Sequence, residues 1–573
     1  MKKGRIIIAS LALTSIVCML GGCKKEAASS KVSTGEYQYG QDVTFHSEQP
    51  VTYPIYLSDA SWYPSQPEWE TEGFYAKIKE KTNVTIDLHK VDSTEFEQKI
   101  LLNVGSGEKT AYVIPKVYGT GGKYIEGGAM VPISDWVQYM PNYTHFVETY
   151  HMEPELQTIT TEDGKYYRLP GMWEAPIQDY TLMVRDDLFK AAGIDVAAIE
   201  KDWTWDDLYD ALVKVKAYMV SKGMVKETDY IWTDMWAGTK AKGGGNFLDM
   251  VASTVGKYGI PAGWPLANGT NFDFDKDEFY FSSTSEDYKK FVSIVRKFVD
   301  GGILDPESFY MDDDAAAARF YRGESALISV SRGQYVEHIT KTDQQLGKGN
   351  YSTYICVTPK QDNNYMRANN RLETGILITK DALKDLGEDE FIKFLRFVDW
   401  LWYSDEGKTL AKWGVEGETY KVDENGKKSL LPGYKCNALG ISGSDSDIDL
   451  RDNLGYAGGN YVYGGTLELG TDNFLPEILS YTNRYNEYRD VKPVIPETSG
   501  TEEQNEQLNL WGTPLKDNID AWTLKFVTGA KDIDADWDEY VESCKNLNCD
   551  KLVEMRNDIY KAQKAKQTET QKK

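Results

Sequence analysis

The sequence predicts an α/β protein folded as at least two lobes. Between residues 51 and 115, short β-rich runs alternate with helical runs, the pattern of a mostly parallel sheet covered by helices. At 573 residues the chain is too long for one compact core. Farther on, long apolar stripes at helical spacing supply the faces that would cover such sheets. No internal repeat interrupts this order.

The N-terminus reads as a leader. Lys2, Lys3 and Arg5 precede an apolar run from Ile6 to Leu20, with Ser10, Thr14 and Ser15 as its polar members. At roughly 15 residues the run is shorter than the ~20 that span a bilayer as a helix, so residues 1–22 are expected as a secretory signal. It ends in Leu20-Gly21-Gly22-Cys23, which resembles the lipobox of bacterial lipoproteins. On that reading Cys23 carries a lipid, each buried methylene of which contributes about 0.8 kcal/mol to membrane attachment. Residues 23–47 include Lys24, Lys25, Ser29, Ser30, Ser33, Thr34 and Gly35, and are expected as a flexible tether. The expected location is the outer face of the cell membrane, with the body facing the medium.

Composition excludes several classes. A formal net charge of −25 argues against nucleic acid, whose phosphates demand a basic face. Beyond Cys23 the mature chain has Cys356, Cys436, Cys544 and Cys549, too few for a disulfide scaffold. Cys544 and Cys549 could form a local bridge; buried free thiols are the alternative. The five histidines show no metal-binding spacing, and no metal or cofactor is expected. Asp273, Asp275 and Asp277 alternate as in a calcium loop, but Glu278 and Thr284 stand where that loop needs Gly and Glu. A solvated acidic turn is expected instead. No Gly-x-Ser-x-Gly elbow occurs, and Gly407-Lys408-Thr409 lacks the earlier Gly of a phosphate loop, Trp402 standing in its place. No catalysis is expected.

The folded body begins with a strand at 51–57, followed by a helix over 73–81 and a strand at 84–88. A helix over 95–104 and a strand at 111–115 continue the alternation. Ligands of such sheets sit on loops beyond the strands' carboxyl ends, here Asp59, Ser61, Trp62 and Tyr118. Thr204 with Asp207 forms a helix-start signal, followed by Leu208, Leu212, Val215 and Met219 on one face. Ser285 starts a second stripe, with Phe291, Val292, Val295 and Phe298, stopped by Gly301-Gly302. A third covers 388–403. These stripes are core.

Several ordered segments resemble the extracellular solute-binding proteins of ABC importers, in their large carbohydrate-type group. Tyr167-Arg168-Leu169-Pro170 with Leu182-Met183-Val184-Arg185-Asp186-Asp187-Leu188-Phe189 is similar to that family's first crossover. Trp203-Thr204-Trp205-Asp206-Asp207-Leu208, Gly302-Ile303-Leu304-Asp305-Pro306-Glu307 and Tyr321-Arg322-Gly323-Glu324-Ser325-Ala326-Leu327 follow in the family's order. So do Asp399-Trp400-Leu401, Ser404-Asp405-Glu406-Gly407, Gly414-Val415-Glu416-Gly417-Glu418-Thr419-Tyr420 and, near the end, Phe526-Val527-Thr528-Gly529 with Trp537-Asp538-Glu539-Tyr540. One departure is that Ala111-Tyr112-Val113-Ile114 has no acid where the family often has Pro-Asp. The resemblance implies a periplasmic-binding-protein-like fold of type II, two α/β lobes joined by crossing strands and closing over a ligand. It implies crossings near 180–186 and 370–378, with 48–183 plus 374–470 as one lobe and 184–373 plus 471–573 as the other. It also implies ABC permease subunits as partners; the protein itself is expected to be a monomer.

A sugar ligand needs aromatic faces for its C–H surfaces and polar partners for its hydroxyls, because an unpaired buried polar group costs ~1–3 kcal/mol. Rings outside any apolar period are Trp62, Trp69, Trp173, Trp232, Trp236 and Trp264. Neighbouring polar residues include Asp59, Glu174, Gln178, Asp179, Asp234 and Lys242. Arg332, after the strand at 326–330, and the segment from Tyr456 to Tyr463 complete the candidates, from which Asp59, Trp62, Trp173, Gln178, Trp232, Trp236, Arg332 and Tyr456 are selected as ligand-binding. Arg185 is expected either to brace the hinge or to touch ligand. The expected function is capture of an oligosaccharide for a permease. A peptide or other non-sugar receptor of the same fold, a surface-anchored glycoside hydrolase and a structural adhesin are the alternatives.

Overall fold

The computed structural model describes residues 40–60, 64–161, 163–235, 246–261, 268–365, 371–436, 446–458, 464–496, 498 and 500–571. The leader, Cys23 and most of the tether lie outside these residues, as do Ser61, Trp62, Trp236, Lys242, Trp264 and the 459–463 stretch.

Two sheets organise the chain. The first has six strands in the spatial order Gly464–Gly465, Arg168–Trp173, Leu372–Ile378, Val113–Val117, Val51–Asp59, Val84–Asp92. Val51–Asp59 pairs in parallel with Val84–Asp92 along its whole length and with Val113–Val117 at its centre. The parallel expectation therefore holds in this half. Leu372–Ile378, returning from far along the chain, inserts antiparallel between Val113–Val117 and Arg168–Trp173. Helix Phe74–Thr82 connects the first two strands and buries Phe74, Tyr75 and Ile78 on one face, as the sequence spacing requires. It stops at Asn83 in the left-handed conformation, whose backbone N–H returns to the Lys79 carbonyl.

The second sheet has three strands, Leu327–Val330, Thr181–Arg185 and Thr353–Cys356, all antiparallel. The parallel expectation concerned residues 51–115 only; this sheet is antiparallel because the central strand's neighbours come from later in the chain and run against it. Thr181–Arg185 lies wholly in this sheet, so the chain changes sheets within 174–180. It returns between Cys356 and Leu372, where 366–370 are not described, and leaves again between Gly465 and Pro476, whose helix packs under the second sheet. Among the described residues the chain thus passes between the sheets three times.

Each half has its own apolar core. Phe394, Leu395, Val398, Leu401 and Trp402 fill the first from helix Lys380–Tyr403. That helix is broken at Gly387 (φ 70°), so it begins afresh at 388, as the sequence pattern indicates, with its buried stripe from Phe391. Leu208, Leu212, Val215, Phe291, Val295 and Phe298 fill the second. Thr204 and Asp207 form a reciprocal capping box on Trp205–Ser221, and Ser285 caps Glu286–Asp300 by accepting from the Tyr288 N–H. Cys356, Cys544 and Cys549 are buried free thiols, so the local bridge expected as one option is not formed. The three acids of the 273–277 turn serve different partners: Asp273 caps the turn, Asp275 pairs with Lys257, and Asp277 with Lys564 and Tyr560. Among the described residues no helix is long and apolar enough to cross a membrane.

Candidate functional site

A cavity of about 370 Å³ opens where the two halves meet. This lies within the ~300–1,000 Å³ of ligand pockets. Its first wall comes from the six-stranded half: Trp402 at the end of one helix, Lys408 and Lys412 on helix Asp405–Trp413, and Trp173 at the end of its strand. Asp179, Arg332 and Phe474 close the opposite side.

Glycines make the aromatic wall possible. Gly464 pairs beside Met172 at φ 107°, and a Cβ there would stand 2.1 Å from the Met172 carbonyl oxygen. A Cβ on Gly470 would stand 2.5 Å from the Trp173 ring. The strand at 464–465 and helix Leu467–Thr471 can therefore lie close on Trp173 only because these positions lack side chains. Trp173 is half-buried, and its indole N–H donates to Glu373 at 3.2 Å. Glu174, next along, accepts from the Leu467 N–H at 2.6 Å and pins the same helix.

Most charges around the cavity are already matched. Arg332 donates through Nε to Asp179 at 2.8 Å, and its guanidinium lies 5.0 Å from the centre of the Phe474 ring. Lys412 donates to Asp472 at 2.5 Å and to the Leu469 carbonyl at 2.9 Å. Asp472 also receives Trp413 Nε1 and Lys428, both at 2.9 Å. This carboxylate thus ties the departing third crossing to helix Asp405–Trp413. Lys408 is different: its Nζ is enclosed and has no hydrogen-bond partner among the described residues.

The structure brings together Trp173 and Arg332, with Asp179, from the expected set. It places others elsewhere. Trp232 is fully buried, edge-on to Phe247 and Phe298 with its N–H on Asp234, and Tyr456 is 1% exposed against Phe74. Rings packed on every side offer no face to a ligand, which corrects both expectations; Trp69 is likewise core. Gln178 is buried and donates to the Tyr180 carbonyl within its own loop. Asp59 accepts from the backbone and hydroxyl of Ser65, holding the loop after its strand. Asp234 is buried beneath Trp232, Met235 and Ser329, and burial pushes its carboxyl up to about 6 against those donors. Trp62, Trp236 and the segment after Gly458 lie outside the described residues. Arg185 pairs with Asp187 at 2.7 Å, so it braces its own strand end. Sequence reasoning weighed Lys408 only within the rejected Gly407-Lys408-Thr409 motif and did not single out Lys412; their spacing with Ala411 on one helical face was the available signal.

Residues 74–369 match the family described as bacterial extracellular solute-binding protein, just over half of the chain. The chain belongs to this family. Members of this solute-binding family serve binding in transport rather than turnover. One relative is the fructooligosaccharide ABC transporter substrate-binding protein FusA of Streptococcus pneumoniae, 23% identical over 330 residues. That match covers 54% of each protein, so the chain spans about half the length of the curated relative. An HMO binding ABC-transporter associated solute-binding protein from Bifidobacterium longum infantis shares the fold with a TM-score of 0.63 and 15% identity. That similarity covers 90% of this chain and 99% of the other. An extracellular solute-binding protein from Bifidobacterium longum subsp. infantis gives 0.64 at 14%, covering 90% and 98%. For a solute-binding protein, a cavity between two separately cored halves is where a solute would sit.

Proposed function

We propose that this solute-binding protein captures an oligosaccharide outside the cell and delivers it to the permease of an ABC importer. The observation that carries the reading is the cavity between the halves, where the half-buried ring of Trp173 meets fixed polar side chains. A ring face suits the C–H surface of a sugar, and the Arg332–Asp179 pair suits its hydroxyls. Two of the named proteins are described by a sugar, fructooligosaccharide or HMO, which favours the same ligand class here. The two halves act as lobes, and the three crossings form the hinge about which they close.

Calorimetric titration of the full chain against a panel of oligosaccharides tests this. Saturable one-to-one binding of one sugar class, without product on chromatography, is expected. Trp173→Ala should weaken that binding roughly tenfold or more, and the melting temperature of the ligand-free variant should fall modestly because Gly470 packs on the ring and Glu373 accepts from its N–H. Undiminished affinity would remove Trp173 from the site, and turnover of the sugar would overturn the receptor reading.

The anchor is proposed to be a lipid on Cys23, following the signal at 1–22. Cys23→Ser should leave the protein unprocessed or free in the medium when cells are fractionated. Normal processing and membrane attachment of that variant would rule the lipid out.

A further inference from the structure

We infer that the saccharide is acidic, and that Lys408 is the counter-ion of its carboxylate at the wall of the cavity. This inference rests on the saccharide-receptor reading above and names its ligand class.

Lys408 lines the cavity from helix Asp405–Trp413. Its stem passes Gly465, where a Cβ would stand 3.3 Å from Lys408 Cδ, and its Nζ lies 5.7 Å from the centre of the Tyr403 ring. The ammonium is enclosed yet donates to no oxygen among the described residues. Among the described residues that line the cavity, the other charged side chains are matched: Arg332 by Asp179, Lys412 by Asp472. Among the described residues lining the cavity, Lys408 is thus the charged side chain without a hydrogen-bonded partner. Asp405, one turn earlier on the same helix, acts on it at a distance without a hydrogen bond. Burial accordingly lowers the Lys408 ammonium to about 8 despite Asp405.

An enclosed ion without a counter-ion is costly, because the low-dielectric surroundings replace little of the lost hydration. A hydroxyl from a neutral sugar could accept a hydrogen bond from Nζ but would leave the charge in place. A carboxylate would accept the bond and neutralise the charge together. The setting strengthens the case, for a chain with net charge −25 repels anions over most of its surface. An isolated cation inside the cavity would select an acidic ligand by its site rather than by general attraction. The neighbouring Trp173 ring would hold the sugar face while Lys408 holds its acid.

The test is calorimetric titration of the full chain with oligomers of uronic acids and with the same oligomers methyl-esterified, which lose the charge and gain one methyl group at each acid; Lys408→Met separates the two effects. The free acids should bind roughly tenfold to hundredfold more tightly than the esters. Lys408→Met should abolish that preference, and Lys408→Arg should restore part of it. Circular dichroism of each variant establishes that it is folded. Equal affinity for acid and ester, or an acid preference that survives Lys408→Met in a folded protein, would overturn the inference. Binding of neutral saccharides alone would overturn it and leave the saccharide-receptor reading intact. Binding of no saccharide, neutral or acidic, would overturn both.

Discussion

Replacing Arg484 with methionine is expected to cost the three-stranded half about 3–5 kcal/mol. Glu200 is fully buried. Its Oε1 accepts from Arg484 Nη1 at 2.5 Å and from the Tyr354 hydroxyl at 2.7 Å, and its Oε2 from the Val357 N–H at 2.8 Å. Arg484 also donates to the Ile355 carbonyl at 2.8 Å and lies over the Tyr354 ring. The guanidinium therefore joins helix Pro476–Tyr488 to the strand Thr353–Cys356 and to the chain before Trp203. Burial raises the Glu200 carboxyl, and its donors, Arg484 among them, pull it back down. With methionine at 484 the carboxylate would stay buried without its hydrogen-bonded cation, keeping only the weaker attraction of Arg489, a far larger loss than the net worth of the pair. Urea unfolding should show a lower midpoint for this half. The double variant Glu200→Gln with Arg484→Met should recover much of the loss, because it removes the stranded charge as well as the pair. If the single variant unfolded at the wild-type midpoint, or the double variant fared worse than the single, Glu200 would not depend on Arg484 for its counter-charge.

The same network explains why the sequence reveals the fold more readily than the site. Strands such as Val51–Asp59 and helices such as Trp205–Ser221 are written in local periodicity and caps, which a chain displays over a dozen residues. A site between halves is assembled from segments hundreds of residues apart. Trp173 and Trp232 look alike in sequence, each with an apolar residue before it and a polar one after. Trp232 becomes core because its backbone bridges to Leu304 and Leu327, two partners that local pattern does not reveal. Tyr456 stood in a glycine-rich stretch typical of an exposed loop, yet Phe74 from the first connecting helix covers it. The central strand Thr181–Arg185 was legible as a strand, but not its sheet, since both neighbours arrive after residue 326. Lys408 shows the limit most plainly. In sequence it is one lysine on an amphipathic helix, and nothing local shows that Gly465, 57 residues later, will lie against its stem.

That enclosure has a cost that can be measured without any ligand. Lys408→Met is expected to make the six-stranded half more stable by roughly 3 kcal/mol at neutral pH, since each unit of pKa shift corresponds to about 1.4 kcal/mol. The unfolded chain holds the lysine proton up to about 10.5, whereas the folded chain releases it near 8. Between these values the unfolded state binds more protons, so the stability of the wild type rises with pH across that interval. Below 8 both states are protonated and the full penalty stands. The groups facing Lys408 are Asp405 on its own helix and the Tyr403 ring, with Asp179, Arg332 and Lys412 around the same cavity. Tyrosines also titrate near the upper end, so the informative quantity is the difference between variant and wild type. That difference should be largest at pH 7 and shrink steadily between pH 8 and 10. A variant less stable than wild type at pH 7, or a difference independent of pH, would mean that the ammonium is well solvated in the free protein. A lysine that destabilises the empty protein yet remains at the cavity wall is the pattern expected where binding, rather than folding, is what the residue serves.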